Sequence, residues 1–362
     1  MINEKLLKSD ERAVLALRSL YRAYGYMPFK MSKFEEYDLY LANKDFLVSD
    51  RVITFNDTNG KLLALKPDVT LSIIKNTACD IGTKSKVYYN ENVYRVSGAT
   101  GQFKEIMQTG LECIGDLDIS DIYEVLLLAA KSLETISDNF VLDISHMGIL
   151  SAFLAEAGAG ELYNKEIIAL VAEKNSHEAR AVSAKYGVEE KVADKIVSLT
   201  TMYGSAEDVL EMLLPLCESA AAIEAYDQLK RLSDLLKHSG LEDKIRIDFS
   251  VTGNMNYYNG IVFRGFISGI SEGVLSGGEY GRLLANMGKK CDAIGFAIYL
   301  DLLSAFDSSL DGFDFDYVIL YGESTDPALI AEKKRELVAL GNTVTATKVL
   351  PEKLSYREIV KL

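Results

Sequence analysis

Between residues 148 and 238 the alternating apolar–polar pattern of β-strands stops, and short amphipathic helices follow one another. The strand pattern resumes at Lys244. A helical run of roughly ninety residues flanked by period-two segments is an insert within one sheet-containing domain, because strands and helices impose different apolar spacings on the chain. We place that domain at residues 1–306, the insert at about 148–240, and a small C-terminal module at 312–362.

The segments before the insert read as strands and helices in an α+β order. A helix runs up to Tyr24 and stops at Gly25. Val52–Phe55 and Leu62–Leu65 bracket Asn59-Gly60, the dipeptide that suits a hairpin. Lys66-Pro67-Asp68-Val69-Thr70 ends the second of these strands and opens a helix from Leu71 to about Cys79. Long strands follow over 86–95 and 103–114, then a helix over 119–137 and a strand over 139–144. Successive strands without intervening crossover helices indicate antiparallel pairing, so the class is α+β and not repeating βαβ. After the insert, Ile245–Ser250 alternates, and the stretch Val251–Phe263 reads as its continuation into a second strand. Adjacent tyrosines on a strand point to opposite faces, so one of Tyr257 and Tyr258 would enter the core while the other lines a pocket. Ala293–Phe306 reads as an apolar helix. The tail reads as strand (317–321), helix (326–340) and strand (343–348), one βαβ-type module.

Charge and chemistry-bearing residues narrow the function. Lys and Arg total 39 against 53 Asp and Glu, giving a net charge of −14 with no local basic run. Such a field repels a polyanion, which disfavours nucleic acid as a partner. Cys79, Cys113, Cys217 and Cys291 lie far apart without C-x-x-C pairing and read as reduced thiols, not as a metal site or disulfide frame. His146, His177 and His238 are equally scattered. No metal and no cofactor is therefore expected. The start of the chain lacks a signal-peptide pattern, and no apolar run is long enough to span a bilayer. The expectation is a cytoplasmic protein with no membrane partner.

Several short stretches carry polar residues that chemistry would use. Asp68 follows a proline, where such a residue commonly caps a helix. Gln108 and Glu112 share one face of a strand with Gly110 between them. Tyr94-Arg95, Tyr257-Tyr258, Ser276–Tyr280 and Gly295–Leu303 complete the set. In this order the stretches resemble the catalytic domain of class II aminoacyl-tRNA synthetases, specifically histidyl-tRNA synthetase, over roughly residues 10–306. The family's L-R-P-E-G-T is similar to Leu65–Thr70, and its motif-two segment F-R … Q-F-G-V-E-V-I-G to Tyr94-Arg95 through Gln108–Gly115. Its R-G-L-D-Y-Y-x-G-x-V-F is similar to Gly253–Phe263, its G-G-R-Y-D to Gly277–Gly281, and its G-F-A-I-G-L-E-R-L to Gly295–Leu303.

The resemblance implies a histidine pocket. Asp68, Thr70 and Gln108 would hold the α-ammonium group, and Arg95 the carboxylate. Glu112 and Tyr258 would meet the imidazole, with Tyr257 beside them as the core member of the pair. The departures concern catalysis. Three positions that are arginine in the enzyme are Gly253, Glu279 and Leu302 here, and Val96–Thr100 replaces the charged run after the motif-two arginine. Amino-acid activation with ATP needs cations aimed at the developing charge, and loss of one such donor typically costs about 100- to 1000-fold. No residue is therefore expected to be catalytic. A kept pocket and lost cations together resemble a non-catalytic branch of the family, the regulatory subunits of short-form ATP phosphoribosyltransferase. That likeness implies a homodimer assembled with a separate catalytic subunit, acting at the first step of histidine biosynthesis, with histidine as feedback effector. The acidic C-terminal module, about half the length of the synthetase's anticodon-binding domain, suits tRNA poorly. Two other readings stay open from the residues alone: a divergent active synthetase, and a structural activator with a vestigial pocket.

Overall fold

The computed structural model describes residues 7–47, 51–79, 82–96, 100–253, 257–303 and 313–362. The chain divides into two compact units, Met1–Ala305 and Phe306–Leu362.

The first unit opens with helix α1 (Ser9–Ala23). Asp10 and Glu11 in its first turn complement the positive end of the helix dipole, and Ala13, Val14, Leu17 and Tyr21 form its buried stripe. Gly25 follows with φ of +85°, a left-handed conformation that favours glycine and turns the chain into an extended segment. Strands β1 (Met27–Pro28) and β2 (Phe34–Glu36), helix α2 (Tyr37–Ala42), strands β3 (Thr54–Asn56) and β4 (Leu62–Leu65), and helix α3 (Thr70–Asn76) come next. The expected hairpin is β3–β4, and β2 joins it in a small sheet ordered β2-β4-β3.

Two long strands, β5 (Lys84–Val96) and β6 (Phe103–Gly115), pair antiparallel from Lys84↔Gly115 to Val96↔Phe103. Helix α4 (Ile119–Ile136) starts at Asp118, whose carboxylate accepts from the Ser120 and Asp121 amides. Strand β7 (Phe140–His146) runs into the insert: α5 (Met147–Ala157), α6 (Glu161–Ala172), α7 (Ser176–Lys185), α8 (Glu190–Leu199), α9 (Ala206–Leu213) and α10 (Ala220–Leu236). One two-residue strand, β8 (Tyr203–Gly204), interrupts the helices and pairs with β9 (Ile245–Asp248) at the sheet edge. Strands β10 (Ile261–Ile267) and β11 (Leu275–Glu279), helix α11 (Gly281–Asn286) and strand β12 (Asp292–Tyr299) complete the unit.

The large sheet has nine strands in the order β1-β5-β6-β12-β11-β10-β7-β9-β8. It is antiparallel from β5 to β7, with parallel pairs β1–β5 and β7–β9. One face packs against helices. Tyr21 of α1 meets the rings of Tyr88 and Phe296, with its hydroxyl 3.0 Å from Ser132 Oγ of α4. Across the opposite face, Tyr40, Ala64, Leu71, Ile74, Tyr89 and Leu283 form a second core from α2, β4, α3, β5 and α11.

Four readings of the sequence change. Residues 292–299 are strand β12, with only a 3-10 turn at 300–303; residues 304–306 of the expected helix lie outside the described residues. β12 is central and buried on both faces, and such strands read as unbroken apolar runs that periodicity cannot separate from a helix. Tyr257 and Tyr258 sit in the connection before β10, not on a strand. Their rings lie together at 4.6 Å between centroids, so they do not point to opposite faces. Asn254, Met255 and Asn256 lie outside the described residues. Cys79 and Cys291, 212 residues apart, are joined by a disulfide, while Cys113 and Cys217 are free and buried. Sequence spacing says nothing about a juxtaposition made by the turn after α3 and the start of β12.

The second unit is a parallel three-stranded sheet ordered β14-β13-β15 with one helix: β13 (Phe315–Leu320), α12 (Pro327–Ala339), β14 (Val344–Thr347) and β15 (Tyr356–Lys361). Its core joins Ile319, Val344 and Leu337. The last strand was not anticipated, because Tyr356-Arg357-Glu358 carries charge at the point where the pattern would have to begin.

Candidate functional site

The second core leaves a cavity of about 390 Å³ against the face of β5, β6, β11 and β12. Asp68, Thr70, Arg95, Gln108, Glu112, Tyr257 and Tyr258 all line it, together with Leu47, Tyr89, Ser276, Tyr280 and Tyr299. The residues come from the β4–α3 connection, the long hairpin, the tyrosine connection and the last strands of the unit.

Period two on β6 puts Gln108 and Glu112 on the cavity face. The glycine between them serves a neighbour and not a ligand. A Cβ at Gly110 would fall on the Tyr89 phenol and the Phe296 carbonyl, so the glycine lets the tyrosine ring of β5 cross the strand. Gly295 of β12 stands opposite Glu112 in the register, and a Cβ there would collide with the Glu112 carboxylate. That carboxylate accepts from Thr70 Oγ1 at 2.9 Å and from the Tyr280 hydroxyl at 2.5 Å. Burial pushes Glu112 up to about 8, the two hydrogen bonds hold it back, and the neighbouring Asp68 charge adds to the rise.

Asp68 stands just before α3 and lines the cavity. Its Oδ1 accepts from the Leu71 amide at 3.0 Å, capping α3, while the side chain faces the cavity. Enclosure by protein raises its pKa, opposed by the Leu71 amide and by the positive charge of Arg95. Arg95 lines the cavity and is held by donation from Nε to the Pro67 carbonyl at 3.0 Å. Among the described lining residues it is the one cation. Gln108 is 3% exposed, and its Nε2 has no protein partner. An unpaired buried amide facing a cavity is a group that a ligand would satisfy. Desolvation raises the Tyr257 and Tyr258 phenols, so both are neutral donor–acceptors at ordinary pH.

Beneath the site, Lys66 is fully buried and pairs with Glu91 of β5 at 2.6 Å. The Lys66 carbonyl also accepts from the Tyr94 amide at 2.9 Å. These bonds moor the Asp68–Thr70 segment to the long hairpin. Tyr280, Lys66 and Glu91 were not among the expected site residues. Tyr280 lies in a quoted motif and was legible there, whereas the Lys66–Glu91 pair exists only through the fold.

Gly253, Glu279 and Leu302 do not restore cationic character. A Cβ at Gly253 would overlap the Tyr258 ring, so that ring fills the space beside it. Glu279 does not line the cavity; its carboxylate is held by the Ile261 amide and by Gln228 of α10. Ser97, Gly98 and Ala99, in the shortened loop after Arg95, lie outside the described residues. Also among the described residues, no cluster of His, Cys, Asp and Glu has the makings of a metal site, and no helix is long and apolar enough to cross a membrane.

An antiparallel sheet with this cavity on one face and helices on the other is the catalytic-domain architecture of a class II, histidyl-tRNA synthetase-type protein. The histidyl-tRNA synthetase family model matches residues 3–303. Solved structures agree in fold. A Bacillus halodurans protein described as an ATP phosphoribosyltransferase regulatory subunit/histidyl-tRNA synthetase superposes with a TM-score of 0.78 at 22% identity, covering 98% of this chain and 93% of its own. A chain of the ATP phosphoribosyl transferase complex of Thermotoga maritima gives 0.63 at 21% identity, covering 80% of this chain and 97% of its own. In sequence, the chain is 30% identical to the ATP phosphoribosyltransferase regulatory subunit of Thermoanaerobacter sp. over 78% of its length and 75% of the relative's. It is 28% identical to that of Clostridium acetobutylicum over 92% and 86%. The chain belongs to the ATP phosphoribosyltransferase regulatory subunit family, a branch of the histidyl-tRNA synthetase family.

Proposed function

We propose that this regulatory subunit senses free histidine and has no aminoacylation activity of its own. The observation that carries the reading is one cavity whose described lining holds a single cation, two carboxyl groups and an unpaired buried amide. Arg95 suits a ligand carboxylate, Asp68 and Gln108 an ammonium group, and Glu112 with Tyr258 a ring that both donates and accepts. A buried polar site of this kind discriminates against ligands that leave its groups unpaired. One cation is too few for a triphosphate whose transition state must be stabilised.

The remaining parts of the reading follow from it. The partner is the catalytic ATP phosphoribosyltransferase subunit, and histidine bound here would lower activity there through a coupling of typically about 1–3 kcal/mol. Self-association as a homodimer is supported by the face of the small sheet on which the Phe34 and Phe55 rings meet and stay exposed. Neither nucleic acid nor membrane enters this role, and the cytoplasm is its place.

Calorimetric titration of the full chain with L-histidine tests the sensor directly. Saturable binding that is lost with histidinol, which lacks the carboxylate, and is weakened in Arg95→Leu is the expected result. No binding of histidine at millimolar concentration, or histidine-dependent ATP–pyrophosphate exchange by the chain alone, would overturn the reading.

A further inference from the structure

A chain of hydrogen bonds outside the cavity joins the helical insert to the tyrosine connection. The Gly148 amide donates to His146 Nδ1 at 3.0 Å, so His146 caps α5 with that nitrogen. Its proton therefore sits on Nε2, which lies 2.7 Å from Gln228 Oε1 on α10. With the Gln228 oxygen committed as acceptor, its Nε2 donates to the Glu279 carboxylate, 3.2 Å from each oxygen. Glu279 Oε2 accepts from the Ile261 amide at 2.6 Å, and its main-chain carbonyl accepts from the Asn259 amide at 3.1 Å. Every donor in the series has an acceptor, and the direction is fixed from end to end.

Two glycines make the arrangement possible. A Cβ at Gly148 would press on the His146 ring at 2.8 Å, and one at Gly260 would fall on the Glu279 carboxylate. Glu279 thus grips the main chain directly after Tyr257 and Tyr258, and the Met147 amide grips the Gly260 carbonyl between them at 2.8 Å. The same residue precedes Tyr280, whose phenol bonds Glu112. Tyr280 therefore ends in the cavity wall, while the Glu279 side chain ends on the insert.

We infer that Gln228 and Glu279 are positioning residues: through the His146–Gln228–Glu279 series, helix α10 sets the conformation of the tyrosine connection. Helix α10 and the cavity then share one mechanical element, so displacement of α10 loosens Tyr258 and a ligand against Tyr258 restrains α10. The affinity arm of the test below rests on the histidine reading; the exchange arm does not.

The donor–acceptor pattern supplies its own control. Gln228→Glu sets two carboxylates facing each other, and Glu279→Gln sets two amide donors facing each other. The double variant Q228E/E279Q restores every pair, because the carboxylate introduced at position 228 accepts from His146 and from the amide at 279, whose oxygen accepts from Ile261. Amide hydrogen exchange of the full chain, followed over 257–262, is expected to quicken about tenfold in each single variant and to return to near wild type in the double. Peptides from β5 and β6 stay unchanged. Calorimetry is expected to show about tenfold weaker histidine binding in the singles, with recovery in the double. Singles that leave 257–262 unchanged, or a double no better than the singles, would overturn the inference. Wild type that binds no histidine while the exchange pattern holds would sink the sensor reading and not this one. Should a single variant fail to fold, Gln228→Met breaks the series without a like-charge contact and is read in the same way.

Discussion

Gly295 of β12 faces Glu112 of β6 across the sheet, and the Glu112 carboxylate occupies the space where a side chain at 295 would begin. The cavity's central acid therefore depends on the absence of a single methyl group one strand away. The Leu111 carbonyl lies 2.5 Å from the same point, so movement of Glu112 alone cannot make room. Gly295→Ala is expected to cost about 3 kcal/mol, the upper end for overpacking a tight core. Urea denaturation followed by circular dichroism measures it. A midpoint unchanged from wild type would show that the strand yields.

Glu112 gives the protein a specific pH dependence. Its folded pKa is raised to about 8 from 4.5, so between those values the folded state holds a proton that the unfolded state has released. Stability from this group is therefore present in acid and is lost as pH rises toward 8. His146, lowered to about 4, acts oppositely but only below 6.5, and Asp143, raised to about 6, works in the same direction as Glu112 at the acid edge of that range. From pH 6.5 to 8 the melting temperature should fall, and Glu112→Gln should flatten that slope. A slope identical in the variant would assign the proton elsewhere.

Putting back one arginine of the synthetases is not expected to bring their activity with it. At Gly253 any side chain meets the Tyr258 ring, so Gly253→Arg should push that ring from the cavity wall. Displacement of a packed side chain typically costs about 1–3 kcal/mol. Falling on the bound state, this is a five- to hundredfold loss of histidine affinity, roughly, with no gain of ATP–pyrophosphate exchange. Calorimetry and the exchange assay read the two halves separately, and unchanged affinity would mean that Tyr258 does not contact the ligand.

Lys66 and Glu91 form an ion pair whose lysine side chain is wholly buried and whose carboxylate side chain is 15% exposed. Removing one member leaves the other charge uncompensated, which typically costs about 3–5 kcal/mol. Lys66→Met is expected to show such a loss in chemical denaturation, and the double variant Lys66→Met/Glu91→Leu to recover much of it. A double variant as unstable as the single would locate the cost in packing.

The amino-acid sequence by itself determined the elements that local chemistry specifies. The β3–β4 hairpin, the paired long strands, the helices of the insert and the alternation that turns Gln108 and Glu112 to one face were all legible. The order of the motifs carried the fold and the cavity-lining residues. What it could not carry were relations between distant segments. The disulfide between Cys79 and Cys291, the Lys66–Glu91 pair, and the Glu279–Gln228–His146 series each join side chains that no spacing connects. Strand β12 was misread because a central strand is apolar on both faces and so loses its period. The tyrosine pair was misread because period two holds only where the backbone is extended. Tertiary structure brought Tyr257 and Tyr258 to the same side, and it turned Glu279, a charge reversal in sequence terms, into the anchor of the segment that follows them.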